Sequence, residues 1–276
     1  MTTSPAFTVN CSILLTDLPL LERPRAVRQA GFDAIEFWWP FASAVPADHE
    51  VTAFIRSIED AGVQLTGLNF AAGDMPAGDR GILSNPTHSS EFRDNVAVAI
   101  EIAQSLGTKA FNALYGNRSD DFSPEQQDET AAENLAYTGE AANRIGAVVL
   151  VEAVSGAERY PLKHAADAVA VIDRVEEAYG TDNLRLLADL YHLEVNGDDI
   201  PAALDVHADR IGHVQIADNP GRGEPGTGTL DLRRYLDQLH SNGYAGYVGL
   251  EYKPTHQNTF DWLDRDLRPS RRGVVI

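Results

Sequence analysis

Eight β-rich runs alternate with segments of helical character along the whole chain, and this alternation restricts the folds open to it. The runs are "FTVNCSI" (7–13), "AIEFWW" (34–39), "QLTGLNF" (64–70), "AFNALY" (110–115), "VVLVEAV" (148–154), "LRLLADLYH" (184–192), "IGHVQIAD" (211–218) and "YVGLEYKP" (247–254). Between them, apolar residues recur at helical spacing over residues 16–30, 47–61, 91–106, 165–179 and 230–240. A further helix is predicted from Ser123 as N-cap, with Pro124 in the first turn, to Gly146. Glycines at 31, 62, 107, 146 and 243 stand just before strands, where helix C-terminal caps are expected. Strict alternation builds a parallel sheet with helices outside it. Eight such units match a closed (β/α)8 barrel, whose usual length of about 250 residues suits this chain of 276. The alternative is an open doubly wound sheet, but no G-x-G-x-x-G follows the first run. With no linker or low-complexity tract, one domain is expected over 1–276. Its barrel core would span about 7–254, with a C-terminal helix and tail over about 255–276.

Composition narrows the partners. The formal net charge is −19, and an acidic surface repels phosphate backbones and anionic lipid. Nucleic acid and membranes are therefore not expected as partners, whereas a homo-oligomer is compatible with the sequence. One cysteine, Cys11, permits no intramolecular disulfide and no cysteine-based zinc site. No apolar stretch approaches the roughly 18 residues of a membrane helix, and no signal-type segment opens the chain, so a cytoplasmic location is expected.

The last four runs each carry a polar residue near the end: "VVLVE", "LRLLAD", "IGHVQ" and "YVGLE" place Glu152, Asp189, Gln215 and Glu251 there. Side chains alternate along a strand, and one choice of face turns all four into the barrel mouth. Active sites of such barrels lie at that end. A single residue of this kind reads as a hydrogen-bonded strand-end group. Three carboxylates and an amide converging in a dry pocket need compensation, which a hard divalent cation supplies. An oxygen-only ligand set suits Mg²⁺ or Mn²⁺.

The segments "ADLYH", "IGHVQIADNPGRGEPGTG" and "GYVGLEYKP", with "AGDMPAGDRGI" and "GFDAIEF" upstream, resemble the hydroxypyruvate isomerase family of the xylose isomerase-like barrels. The resemblance runs from Phe7 to about Pro254. It implies metal ligation by Glu152, Asp189, Gln215 and Glu251. It also implies that Glu152 and Glu251 exchange the substrate proton, as base and acid in an order the sequence leaves open. A metal on the substrate oxygens stabilises the enediolate formed when a proton leaves the carbon beside a carbonyl. The expected activity is isomerisation of a small hydroxy-carbonyl acid, such as hydroxypyruvate to tartronate semialdehyde.

Around the substrate, the resemblance suggests that His192 hydrogen-bonds a substrate oxygen; the competing reading is a surface histidine on a loop. Arg222 and Glu224, in the loop after the seventh run, read either as a substrate clamp and its orienting partner or as a solvated pair. Lys253 shares the face of Glu251. Glu158 matches a substrate-contacting glutamate of related ketose epimerases. His213, one layer below Gln215, reads as a supporting residue. Leu68–Asn69 stands where the family often has histidine and asparagine, which puts Asn69 beside the substrate. "AVSGAERYPLK" after Glu152 lacks the family's usual proline and asparagine. Both departures bear on substrate identity. The aromatic "EFWWPF" (36–41) reads as a pocket wall or a subunit contact. Three alternatives stand beside isomerisation: a sugar or cyclitol epimerase or dehydratase, a non-catalytic sugar-binding barrel, and an abasic-site endonuclease. The last requires a histidine-rich three-metal cluster and a basic face, against eight scattered histidines here.

Overall fold

The computed structural model describes residues 5–269. Eight parallel strands close on themselves in sequence order: β1 (Ala6–Asn10), β2 (Ala34–Phe37), β3 (Gln64–Asn69), β4 (Ala110–Asn112), β5 (Val148–Glu152), β6 (Leu184–Asp189), β7 (Ile211–Ile216) and β8 (Tyr247–Leu250). β8 pairs with β1, so no strand edge is left open. The helices are α1 (Arg23–Ala30), α2 (Asp48–Ala61), α3 (Ser89–Leu106), α4 (Pro124–Asn143), α5 (Ala165–Tyr179), α6 (Leu190–Val195), α7 (Ile200–Val206) and α8 (Leu232–Ser241). None is long and apolar enough to cross a membrane. The expected eight-stranded barrel is the fold observed.

Strand alternation divides the chain chemically. One set of side chains, including Val9, Ile35, Leu65, Phe111, Val149, Leu186, Val214 and Val248, is buried in the apolar core. Val9, Ile35, Leu65 and Phe111 are fully buried; an aliphatic or aromatic side chain of this kind gains about 1.5–3 kcal/mol on leaving water. The alternate set fills the barrel interior and is largely polar, with Leu150 and Leu187 among it. Thr8 and Thr66 share a hydrogen bond of 2.7 Å low in it. Above them lie His213 and Glu36, then the strand-end residues.

Several expected boundaries move, for local reasons. The first helix begins at Arg23 rather than at residue 16, after a 3₁₀ turn at Leu20–Glu22. Arg23 donates to the carbonyls of Cys11 and Leu18 and holds the preceding segment as a loop, and Pro24 suits a helix start. The sixth strand stops at Asp189 because its carboxylate accepts the Tyr191 and His192 amides and caps α6. Gly31, Gly62 and Gly107 cap their helices in the left-handed conformation as expected. Helix α4 instead ends at Asn143, and Gly146 lies in the turn that follows.

The helix expected over about 255–276 is corrected. Among the described residues, the chain after β8 makes turns and one 3₁₀ turn, Arg265–Leu267. Side chains supply the holding contacts that helical bonds would have made. Phe260 packs on Phe32 with ring centroids 4.9 Å apart, and Trp262 donates to the Tyr252 hydroxyl. Arg268 donates to the carbonyls of Ala30, Phe260 and Leu263. Residues 270–276 of that expectation lie outside the described residues.

Candidate active site

Glu152, Asp189, Gln215 and Glu251 meet inside the mouth of the barrel, each nearly inaccessible to water. Glu152 and Asp189 end β5 and β6, Gln215 is the penultimate residue of β7, and Glu251 directly follows β8. His192 Nε2 stands 3.9 Å from Glu152 Oε1 and 3.5 Å from Asp189 Oδ2. On the other side of Asp189, Arg222 Nη2 lies 3.6 Å from Oδ2 and pairs with Glu251 Oε2. His192 and Arg222 thus flank Asp189 between the two glutamates.

Two atoms in this cluster are left over. Asp189 Oδ2 and Gln215 Oε1 are buried and accept no hydrogen bond. An unmet buried acceptor costs about 1–3 kcal/mol. Both belong to strand ends, and both are oxygens, as an Mg²⁺ or Mn²⁺ site would require. One oxygen each of Glu152, Asp189 and a nitrogen of His192 lie within 4.8 Å of one another. The histidine is a poor ligand in this setting. Its Nδ1 accepts the Ser155 backbone N–H at 3.1 Å, so Nδ1 carries the lone pair and Nε2 the proton. Burial, aided by the Arg222 charge, pushes the ring down to about 3, which keeps it neutral. His192 therefore presents an N–H donor to the site, and the oxygen donors fit the cation better.

The acids are displaced in the direction burial demands. Burial and the charges of Glu251 and Asp189 hold Glu152 well above the usual carboxylate range, against the Asn112 hydrogen bond. Burial lifts Glu251 to about 7, opposed chiefly by Arg222. Asp189 is raised by burial, with Arg222 again the main opposing charge. A cation among them would favour their ionised forms.

Residues from the first half of the barrel hold these acids, and of these the sequence flagged only the stretch 36–41, as a pocket wall or subunit contact. Asn112 Nδ2 donates to Glu152 Oε2 at 2.7 Å. Trp38 Nε1 donates to Glu251 Oε1 at 2.6 Å, and Asn10 Nδ2 to the same oxygen at 3.1 Å. Glu36 accepts from Asn10, His213 and Gln215. Each lies at or just past a strand end, or interrupts an apolar run as Gln215 does; the same parity argument applied to β1–β4 would have found them.

A cavity of about 610 Å³ opens above the cluster. Asn69, His192, Arg222 and Lys253 line it, as does Arg80. Trp38 forms part of its wall, while Trp39 and Phe41 face an adjoining cavity of about 900 Å³. Two expected substrate residues are elsewhere. Glu224 is buried against the loop after β8, where it accepts the Thr255 amide and hydroxyl and pairs with His256. The sequence signals a polar loop, but it does not say which of its side chains are taken up by a neighbouring loop. Glu158 is exposed and does not line the cavity, although Ser155 and Gly156 just before it do. The loop after β7 is held by carboxylates: Asp218 accepts the amides of Asn219, Gly226 and Leu230. Gly228 is required there, since a Cβ would stand 2.3 Å from the Asn219 carbonyl oxygen. The loop delivers Arg222 with φ of 59°, a left-handed conformation costing a non-glycine residue roughly 1–2 kcal/mol. Its guanidinium lies over the Tyr191 ring at 5.3 Å.

Comparison with known proteins places the chain in one superfamily. The family model for xylose isomerase-like TIM barrels matches residues 24–268. A Streptomyces coelicolor protein provisionally named hydroxypyruvate isomerase is 55% identical over 96% of this chain and 98% of its own length. The hydroxypyruvate isomerase of Escherichia coli is 34% identical, covering 94% of this chain and 98% of that protein. Among solved structures, one titled as a family 2 AP endonuclease from Brucella melitensis superposes with a TM-score of 0.84 at 30% identity. It covers 94% of this chain and 97% of the other.

Proposed function

The chain belongs to the hydroxypyruvate isomerases of the xylose isomerase-like TIM barrel family, and on that premise we propose that it converts hydroxypyruvate to tartronate semialdehyde with a bound Mg²⁺ or Mn²⁺. It is an enzyme of the isomerase class acting on a small hydroxy-keto acid. The observation that carries the metal reading is the pair of orphaned oxygens, Asp189 Oδ2 and Gln215 Oε1, amid buried carboxylates. Glu152, Asp189, Gln215 and Glu251 would hold the cation. When bound, it would act as a Lewis acid toward the substrate's carbonyl and hydroxyl oxygens.

The residues divide the remaining work. One of Glu152 and Glu251 removes a proton from the hydroxymethyl carbon and an enediolate forms. The other glutamate returns a proton to the neighbouring carbon, while the hydroxyl proton passes from one oxygen to the other. The net change moves the carbonyl by one carbon with no outside oxidant or reductant. General acid–base help of this kind contributes typically about 10²–10⁴-fold. His192 donates Nε2–H to a substrate oxygen. Asn112 and Trp38 keep the two glutamates aimed at the substrate.

Arg222, Lys253 and Arg80 give the cavity a positive rim in a strongly acidic protein, which favours a carboxylate-bearing substrate. The nuclease named for the Brucella structure is not favoured here: the strand-end donors are three carboxylates and an amide. The test is separation of products from hydroxypyruvate before and after chelation. Tartronate semialdehyde should form, stop forming after chelation, and return with Mg²⁺ or Mn²⁺. Conversion untouched by chelation would refute the metal, and no conversion of hydroxypyruvate would refute the substrate.

A further inference from the structure

We infer that Glu36 is a positioning residue that fixes which way the Gln215 amide faces, turning its oxygen rather than its nitrogen toward the cation site. The inference rests on the metal reading above. A glutamine amide has nearly the same shape either way round, yet only its oxygen can bind a hard cation. Something must therefore select one orientation.

Glu36 reaches across the barrel interior from β2 to do so. Its Oε1 accepts from Gln215 Nε2 at 2.7 Å, and its Oε2 bonds His213 Nε2 at 2.7 Å. Asn10 Nδ2 adds a bond to Oε1 at 3.1 Å and another to Glu251 Oε1, also at 3.1 Å. A carboxylate offers acceptors alone. A reversed Gln215 would set oxygen against oxygen at that distance and turn its N–H₂ toward the cation. The observed orientation leaves Gln215 Oε1 buried and unpartnered, aimed away from Glu36. The path across the barrel is kept open by a glycine. A Cβ at Gly249 would stand 2.7 Å from Glu36 Oε1 and 2.8 Å from Gln215 Cγ.

The test is Mn²⁺ affinity, measured by calorimetry on the full chain without substrate. Glu36→Gln is nearly isosteric, and its melting temperature reports folding. It introduces an N–H₂ group that can pair with Gln215 Oε1 and turn the amide round. Loss of a residue that orients a ligand typically weakens metal binding by about 10–100-fold, and that loss is expected here. Glu36→Asp keeps the charge but withdraws it from Gln215, and it should also bind more weakly. In Glu36→Gln/Gln215→Glu the carboxylate at 215 presents oxygen both ways, so most of the affinity should return. Should Glu36→Gln fail to fold, Glu36→Asp carries the test, since it keeps the charge and removes only the reach to Gln215. Wild-type affinity in Glu36→Gln or Glu36→Asp, or a double variant that binds no more tightly than Glu36→Gln, overturns the inference. A wild type that takes up no Mn²⁺ instead fails the metal reading, and the inference with it.

Discussion

Strands β1–β4 and β5–β8 run the same way in the same closed barrel, yet their ends carry different chemistry. The second half contributes Glu152, Asp189, Gln215 and Glu251, three of them acids that burial drives toward protonation. The first half contributes Asn10, Trp38 and Asn112, whose N–H groups are bonded to those acids, and Glu36, which takes up Gln215. One half offers the groups that would react or ligate, and the other half aims them. The difference implies that damage to the second half removes function, while damage to the first half degrades it.

The largest expected effect is therefore in the second half. Asp189→Ala should abolish stoichiometric Mn²⁺ binding and activity together, as elemental analysis and assay would report. It should also cost about 1 kcal/mol of stability, since Asp189 caps α6. Unchanged metal content in this variant would break the proposed ligand set. Next, Glu152→Gln and Glu251→Gln keep an oxygen ligand but lose the base. Each should lower kcat by about 10²–10⁴-fold while some metal binding persists. Near wild-type turnover in either would remove that glutamate from the proton path.

Changes outside the ligand set should be milder. Asn112→Ala should leave one Mn²⁺ per chain and lower kcat by about tenfold, because Glu152 loses its aiming bond and a buried acceptor is left unmet. If Asn112→Ala also lost the metal, the division between the two halves would fail. Arg222→Lys should raise KM for hydroxypyruvate by roughly tenfold, about 1.4 kcal/mol, and matter little for a neutral ketose. Equal effects on both substrates would argue against a carboxylate role.

The smallest effect is in stability. Glu251 rises from an ordinary 4.5 to about 7, chiefly by burial. The folded state thus holds this proton more tightly than the unfolded chain. Its contribution is full below about pH 4.5 and is lost as pH climbs toward 7. Added Mn²⁺, which favours the ionised form, should then raise Tm more at pH 7 than at pH 5. A Tm increment that shrinks over that interval would contradict the proposed ligation by Glu251.

The barrel was legible because alternation of strand and helix is a local signal repeated eight times. The four strand-end residues were legible because each breaks an apolar run. Glu36 breaks "AIEF" in the same way, but its partner His213 lies 177 positions away, and only closure of the barrel brings them together. Glu224 was misplaced for the opposite reason: its partners Thr255 and His256 belong to another loop, so its local sequence says nothing of them. The C-terminal segment was not legible because its conformation is set by distant partners: Phe260 and Trp262 pack on Phe32 and Phe7, and Arg268 bonds the Ala30 and Phe260 carbonyls.

Proton transfer within the site is tested most directly by proton NMR of hydroxypyruvate in D₂O with enzyme and Mg²⁺. Wild type should replace the hydroxymethyl protons with deuterium faster than the enzyme-free control and yield tartronate semialdehyde. Glu152→Gln and Glu251→Gln should lose that conversion. Conversion that persists in both variants, or no enzyme-dependent exchange in the metal-loaded wild type, would contradict proton transfer by these two glutamates.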